Sequence, residues 1–158
     1  MPESNFERMI QLAEDVFAVK NDPEQLDVNQ DVLERLKRIH PSTVSEFADE
    51  NGPVAWVLVI PTTLDLMHQF LDHKISEKQL FELTPLDGKY DALYLCSAMV
   101  LEEYRRKGIA KKLALKAIED IRHDHPLKAL CTWAFSEEGD LGAETVARLT
   151  TLPLYKRL

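Results

Sequence analysis

The chain has 158 residues, of which 45% are hydrophobic and 29% charged, and its formal net charge at pH 7 is −8. This composition predicts one globular domain over residues 1–158 and excludes a disordered chain. The excess of acids argues against nucleic-acid and anionic-membrane partners, which need a positive protein face, and suits a cationic small molecule or a basic peptide.

Neither the N-terminus nor the cysteines indicate an exported or membrane protein. The first residues have no uninterrupted apolar region, and the longest apolar run, Val54 to Ile60, is too short to span a membrane. Cys96 and Cys131 lie in apolar runs without a Cys-x-x-Cys partner, so they are predicted to be small buried residues in a reducing compartment. We therefore expect a cytoplasmic protein.

The first sixty residues predict two helices followed by a hairpin. Apolar residues at helical spacing indicate one helix up to Asn21-Asp22-Pro23 and a second that closes at His40-Pro41. Two β-rich runs follow, Thr43 to Ala48 and Ala55 to Ile60, joined by a turn with an Asn-Gly pair. Pro61 is expected to stop the second strand.

The middle of the chain predicts a helical insertion before a central strand. Two short helices are expected, the second opened by a capping box of Ser76 and Gln79. A loop then leads into Ala92 to Val100, which is nearly all apolar and should be covered on both faces.

The last third predicts the longest helix, a strand and a final helix. An apolar stripe runs from Ile109 to Ile121 before Pro126, a further apolar strand covers Ala129 to Phe135, and a short helix covers Gly142 to Thr150. The predicted fold class is therefore α/β (or α+β), with a mixed sheet flanked by helices.

The segment between the central strand and the longest helix has the chemistry of an anion site. Five of the eight residues 105–112 are Arg or Lys, around Gly108. A helix N-terminus leaves about four backbone N–H groups unpaired and carries roughly half a positive charge. Gly108 lets a ligand approach the backbone, and Ala110 keeps the next position small. Such a segment can hold a pyrophosphate without a metal.

This segment resembles motif A of the GCN5-related N-acetyltransferases (GNAT), whose signature is (Arg or Gln)-x-x-Gly-x-(Gly or Ala). The chain has R-R-K-G-I-A from Arg105 to Ala110, within V-L-E-E-Y-R-R-K-G-I-A. The similarity spans Leu93 to about Ile121, roughly a fifth of the chain. It implies a mostly antiparallel GNAT-like sheet and an acetyltransferase that binds acetyl-CoA or CoA.

The resemblance also implies a set of cofactor-binding residues. Backbone amides of the basic loop would hold the pyrophosphate, and the end of the central strand would bond the pantetheine arm and thioester carbonyl like an added strand. The gap opens where the strand at Ala129 splays away. The alternative is that Gly108 makes a tight turn and the cations form a solvated rim. The implied residues are Ala98, Met99, Val100, Arg105, Arg106, Lys107, Gly108, Ile109, Ala110 and Lys111.

The implied reaction is attack of an amine on the thioester carbonyl through a tetrahedral oxyanion, which N–H groups near Val100 would stabilise. A base must take a proton from the ammonium, and an acid often protonates the thiolate. Glu102 is the candidate for proton relay. With Glu103, it is otherwise a solvated charge held ionised by Arg105 and Arg106.

The family often supplies the acid as a tyrosine in N-x-x-A-x-x-L-Y-E-K-L-G-F. The only tyrosine after the motif is Tyr155, in L-P-L-Y-K-R-L. The alternative is that Tyr155 packs against its neighbours or lies on the surface. The chain stops at Leu158, so the two closing strands usual in the family are not expected. Nor is a first strand before the opening helix.

No metal site is predicted. His123-Asp124-His125 has no third ligand in view and is expected to form surface groups that compensate a helix dipole. His68 and His73 receive the same interpretation, and Trp56 and Trp133 are expected in the core.

Three functions remain open on the sequence. The first is an N-acetyltransferase that moves an acetyl group from acetyl-CoA to an amine. The second is a non-catalytic module that binds acyl-CoA and signals to a partner. The third is an interaction domain without a cofactor, which would form a homodimer through exposed sheet edges.

Overall fold

The structure is a computed structural model that describes residues 4–20, 26, 30–133 and 137–158, with backbone alone at 16–20 and 138. Within these residues the chain forms a mixed sheet of five strands and six α-helices. The elements in chain order are α1 (Asn5–Lys20), α2 (Gln30–Ile39), β1 (Val44–Asp49), β2 (Gly52–Thr62), α3 (Leu64–Leu71), α4 (Glu77–Leu83), β3 (Ala92–Val100), a 3-10 helix (Glu102–Tyr104), α5 (Ile109–Asp124), β4 (Ala129–Thr132), α6 (Glu137–Thr150) and β5 (Leu154–Lys156).

The strands lie in chain order across the sheet, β1-β2-β3-β4-β5. The pairs β1–β2 and β2–β3 are antiparallel and long, whereas β3–β4 and β4–β5 are parallel and short. The antiparallel half follows from the hairpin and the helical insertion, while α5 and α6 make the crossovers that parallel strands require. The predicted mixed, mostly antiparallel sheet flanked by helices is confirmed.

Helices cover both faces because the strands send alternate apolar side chains to two cores. In β2, Leu58 and Ile60 belong to the core shared with α2, α3 and α4. Val57 and Val59 belong to the core shared with α5 and α6. A third core, built around Met9 of α1, lies at the end of β3 that leads into the basic loop. The third core therefore packs against residues on both sides of that loop, Leu101 before it and Ile109 after it.

Most predicted elements are confirmed, including the hairpin and both short helices with the Ser76–Gln79 capping box. Four details differ. The strand β2 continues through Pro61 to Thr62, β4 ends at Thr132 within the described residues, and α6 begins at Glu137. A closing strand, β5, forms where none was expected. The predicted end of β4 at Ala134 and Phe135, with the following Ser136, lies outside the described residues.

Cys96 and Cys131 are both buried, as predicted, and burial raises the pKa of the Cys131 thiol. No helix in the described part of the chain is long and apolar enough to cross a membrane.

Candidate functional site

The site begins where β3 and β4 part. Their pairing runs from Ala92 with Ala129 to Leu95 with Thr132, and β3 then continues to Val100. Ser97 to Val100 are thus paired with β2 on one edge, while within the described residues they lie beyond the β4 register on the other. An unpaired strand edge presents N–H and C=O groups that an extended ligand can bond.

Within the described residues, the open edge includes Ala98 and Val100. The Leu101 N–H donates to the Val54 carbonyl at 2.9 Å. This bond shows which residues of β3 direct their backbone groups toward β2. Because hydrogen-bonded pairs alternate in an antiparallel ladder, Met99 also directs its backbone groups toward β2. Ala98 and Val100 point theirs to the open side, where the Arg105 Nε donates to the Val100 carbonyl at 3.0 Å.

The basic loop leads directly into the N-terminus of α5. Gly108 is the residue before the helix, at φ 76° in the left-handed region, and Arg106 is also left-handed at φ 65°. The first hydrogen bond of the helix is donated by Lys112 to the Gly108 carbonyl at 3.0 Å, and no side chain caps this end. The N–H groups of Ile109, Ala110 and Lys111 therefore have no partner within the helix.

The space over Gly108 is open. A Cβ placed there would meet only the Lys111 side chain, at 3.8 and 4.0 Å. Four exposed cations lie in the loop and the first turn on either side of Gly108: Arg106, Lys107, Lys111 and Lys112. Uncapped N–H groups, a helix dipole and four cations make a site for a phosphate or pyrophosphate.

The loop is tied to the β1–β2 hairpin through Tyr104. The Tyr104 hydroxyl donates to Asp49 Oδ2, and this bond raises the pKa of Tyr104 and lowers the pKa of Asp49. Asp49 Oδ1 also accepts from Asn5 Nδ2 at 2.9 Å and from the Asn51 N–H at 2.7 Å. Asp49 thus links the hairpin, the first helix and the basic loop.

Glu103 is held ionised by Arg8, whereas the sequence predicted that Arg105 and Arg106 would do so. Arg8 of α1 binds Glu103 Oε1 through Nη2 at 2.6 Å, and this hydrogen bond holds the pKa of Glu103 below its ordinary value. Arg105 instead binds the Val100 carbonyl. The sequence missed Arg8 because nothing in a single sequence links two residues that lie 95 positions apart.

The two predicted catalytic residues lie far apart in the structure. Glu102 is exposed in the 3-10 helix directly after the open edge. Tyr155 lies in β5, level with Cys131 and so with Tyr94, and its ring contacts His68 at 6.0 Å. That level is roughly 20 Å along β3 from Val100, and two strands across the sheet add a lateral distance of about 10 Å. The structure therefore brings Glu102, but not Tyr155, beside the open edge.

The histidines near the end of α5 are not all surface groups, which corrects the expectation for His125. Its half-buried ring packs on Tyr90 at 4.6 Å and faces buried His40 at 5.9 Å. His40 Nε2 bonds Asp124 Oδ2 at 2.7 Å, while His123 is exposed. Among the residues that the structure describes, no group of three His, Cys, Asp or Glu side chains is arranged to hold a metal ion.

A strand pair that opens beside an uncapped, basic helix N-terminus defines a class of α/β protein that can bind a long anionic ligand along a sheet edge. The family model described as "Acetyltransferase (GNAT) family" matches residues 6–157, nearly the whole chain. The chain belongs to the GNAT acetyltransferase family. A search of the curated proteins found no matching relative.

Proposed function

We propose that this protein is an N-acetyltransferase that moves an acetyl group from acetyl-CoA to an amine of a small molecule or basic peptide. The observation that carries the proposal is the continuity of two binding features. The open edge of β3 ends at Val100, and nine residues later α5 begins without a side-chain cap. One ligand with an extended amide arm and a pyrophosphate fits both.

The residues present fit acetyl-CoA. The N–H groups of Ile109 to Lys111 and the open space at Gly108 suit the pyrophosphate. The open groups of Ala98 and the Val100 N–H suit the amides of the pantetheine arm and the thioester carbonyl, with one partner for each group. The backbone groups of Met99 face β2, so Met99 makes no open-edge bond and only spaces Ala98 and Val100 along the strand. Because Arg105 already donates to the Val100 carbonyl, the pantetheine arm would bond β3 through the other open groups of Ala98 and Val100.

Acetyl-CoA supplies a thioester whose carbonyl carbon an amine can attack, forming the C–N bond as the C–S bond breaks. The open-edge N–H group that bonds the thioester carbonyl would stabilise the charge that develops on its oxygen. Glu102, exposed just beyond Val100, is the proposed acceptor of the ammonium proton. Tyr155, level with Tyr94, lies beyond hydrogen-bond reach of the open edge, so the thiolate would take its proton from solvent.

The acceptor class is supported by charge. The molecule has 27 acids against 19 bases, and the basic loop concentrates several of those bases at the cofactor end. A cationic amine is attracted to the remaining acidic surface. The second candidate is a module that binds acyl-CoA without catalysis, favoured by the distance of Tyr155 from the open edge.

The test is a thermal unfolding experiment with acetyl-CoA, using dephospho-CoA and ATP as controls. A ligand at a hundred times its dissociation constant adds about 2.7 kcal/mol to the unfolding free energy. A clear rise in Tm with acetyl-CoA, well above both controls, is expected. An unchanged Tm at millimolar acetyl-CoA contradicts the proposal.

A screen of amines for thiol release then separates the two candidates. Turnover with any amine supports the transferase, and binding without turnover supports the module. In the same assay, Glu102→Gln should slow transfer, Tyr155→Phe should leave the rate unchanged, and both should keep the wild-type Kd for acetyl-CoA. A wild-type rate in Glu102→Gln removes Glu102 from the proposed chemistry, and a slower Tyr155→Phe contradicts the placement of Tyr155 outside it.

A further inference from the structure

Tyr104 occupies a junction that the proposed reaction does not use directly. It is the last residue of the 3-10 helix and immediately precedes Arg105, the first residue of the basic loop. Its ring packs against the third core, and its hydroxyl reaches across to Asp49 at the end of β1. A bond over 55 positions of sequence thus fixes the start of the loop to the sheet.

Asp49 is itself held in place, so it is a firm anchor. One of its oxygens accepts from the Asn5 side chain at 2.9 Å and from the Asn51 N–H at 2.7 Å. The other accepts from Tyr104. The three donors come from α1, the hairpin turn and the loop, and a carboxylate that accepts several bonds is fixed in orientation.

The Tyr104 ring also sets the position of a cation in the loop. The Lys107 Nζ lies 5.5 Å from the ring centroid, within the range of a cation–π contact. One side chain therefore fixes the loop twice, through its hydroxyl at the start and through its ring at the central lysine.

The loop needs such support because its backbone is strained. Arg106 adopts a left-handed φ of 65°, which is unfavourable for a residue with a Cβ. A strained segment keeps its conformation only where surrounding contacts determine it. Without them, a ligand would have to order the loop on binding, and its affinity would fall accordingly.

We propose that Tyr104, anchored by Asp49, is a positioning residue that holds the 105–108 loop in its phosphate-binding conformation before acetyl-CoA arrives. This inference rests on the proposed function. It assigns the hairpin end at Asp49 a part in cofactor affinity, although Asp49 lies outside the motif that binds the cofactor.

The test uses Tyr104→Phe, which removes the hydroxyl and keeps the ring under Lys107 and in the core. The Kd for acetyl-CoA should rise about three- to tenfold, as expected for one lost hydrogen bond. At saturating acetyl-CoA, kcat should stay unchanged, because the reacting groups are untouched. Hydrogen exchange in the free protein should become faster at the amides of residues 105–111 and stay unchanged in β2.

Asp49→Ala and the double variant test the pair. If the two residues act through one bond, the double variant binds acetyl-CoA no more weakly than Asp49→Ala alone. Glu46→Ala is the matched control, since Glu46 lies on the same strand and accepts from Trp56 Nε1 at 2.8 Å without contacting the loop. Its Kd should equal that of the wild type.

Wild-type affinity in Tyr104→Phe, or unchanged exchange in the loop, overturns the positioning role while leaving the proposed function standing. A wild-type protein that does not bind acetyl-CoA overturns the proposed function instead. Should Asp49→Ala fail to fold, the conservative Tyr104→Phe variant decides alone.

Discussion

Gly108 combines a backbone requirement and a space requirement, and substitutions can separate them. Its φ of 76° disfavours any residue with a Cβ, yet a Cβ itself would meet only the Lys111 side chain at 3.8 Å. Gly108→Ala should therefore fold and lose about 1 kcal/mol of stability. Gly108→Glu should lose a similar amount and, in addition, repel the pyrophosphate, so that acetyl-CoA no longer binds.

Urea denaturation and calorimetric titration measure the two effects separately. Gly142 offers a control, because nothing lies within 4 Å of a Cβ added there and it sits inside α6, where alanine favours the helix. Gly142→Ala and Gly142→Glu should bind acetyl-CoA normally. Normal affinity in Gly108→Glu would contradict the placement of the pyrophosphate at this turn.

Single residues of the site were predictable only where local sequence determines them. The motif from Arg105 to Ala110 could be identified because a strand, a glycine and a helix start follow each other along the chain. The partners of the same segment could not be identified. Asp49 meets Tyr104 and Arg8 meets Glu103 only after the hairpin and α1 pack beside the loop, and one sequence carries no signal for contacts at that separation.

At the scale of elements, α4 depends on its capping box. The helix has only seven residues, and short helices are marginal without end contacts. The Ser76 Oγ accepts from the Gln79 N–H at 3.1 Å, and the Gln79 side chain accepts from the Ser76 N–H at 2.9 Å. The helix also carries buried Glu77, which accepts from the Tyr94 hydroxyl in the core.

Ser76→Ala should therefore lower the unfolding free energy by about 1 kcal/mol, measured by urea denaturation. Lys78→Ala in the same helix is the control, because Lys78 is exposed and alanine is at least as good a helix former. Its effect should stay within about 0.5 kcal/mol. Equal stabilities of the two variants would show that the box contributes nothing to this fold.

Element types followed from apolar periodicity, whereas element ends depended on neighbours. Pro61 was expected to stop β2, but the Val59 N–H donates to Thr43, just before β1 begins, so position 61 faces a side where β1 provides no partner. A missing N–H costs little there. The three-residue β5 was missed because it is too short to show a period and forms only by pairing with β4.

At the scale of the whole molecule, two kinds of titrating group set the pH dependence of stability. Hydrogen bonds from Tyr104, Arg8, Lys116 and His40 lower the pKa values of Asp49, Glu103, Asp120 and Asp124, respectively. The stability they contribute is complete above the unfolded pKa, near 3.8 to 4.5, and is lost only as pH falls through the folded pKa values below that range. These carboxylates leave stability constant between pH 5 and 8.

His125 changes the stability of the fold between pH 5 and 8, where those carboxylates leave it constant. Burial against Tyr90, followed by repulsion from His40, lowers the pKa of His125, and Lys89 acts in the same direction while Asp124 opposes it. The Tyr90 N–H also donates to His125 Nδ1 at 3.4 Å, a bond that the neutral ring accepts.

The unfolded chain therefore binds the His125 proton at a higher pH than the folded protein does. The stability contributed by neutral His125 is complete above pH 6.5 and is lost as pH falls below it. Urea denaturation from pH 7.5 to 5 should show a falling unfolding free energy. Its slope should stay below the limit of about 1.4 kcal/mol per pH unit for one proton, because solvent screens the half-buried ring.

The variant that tests this assignment is His125→Gln, which should flatten the slope across the same pH range. His123→Gln, two residues earlier on the exposed side of α5, is the matched control and should keep the wild-type slope. The comparison isolates the half-buried ring because both variants remove one imidazole from the same helix end. If both variants keep the wild-type slope, another group is responsible for the loss of stability. If His123→Gln flattens it instead, the packing of His125 against Tyr90 does not control its protonation.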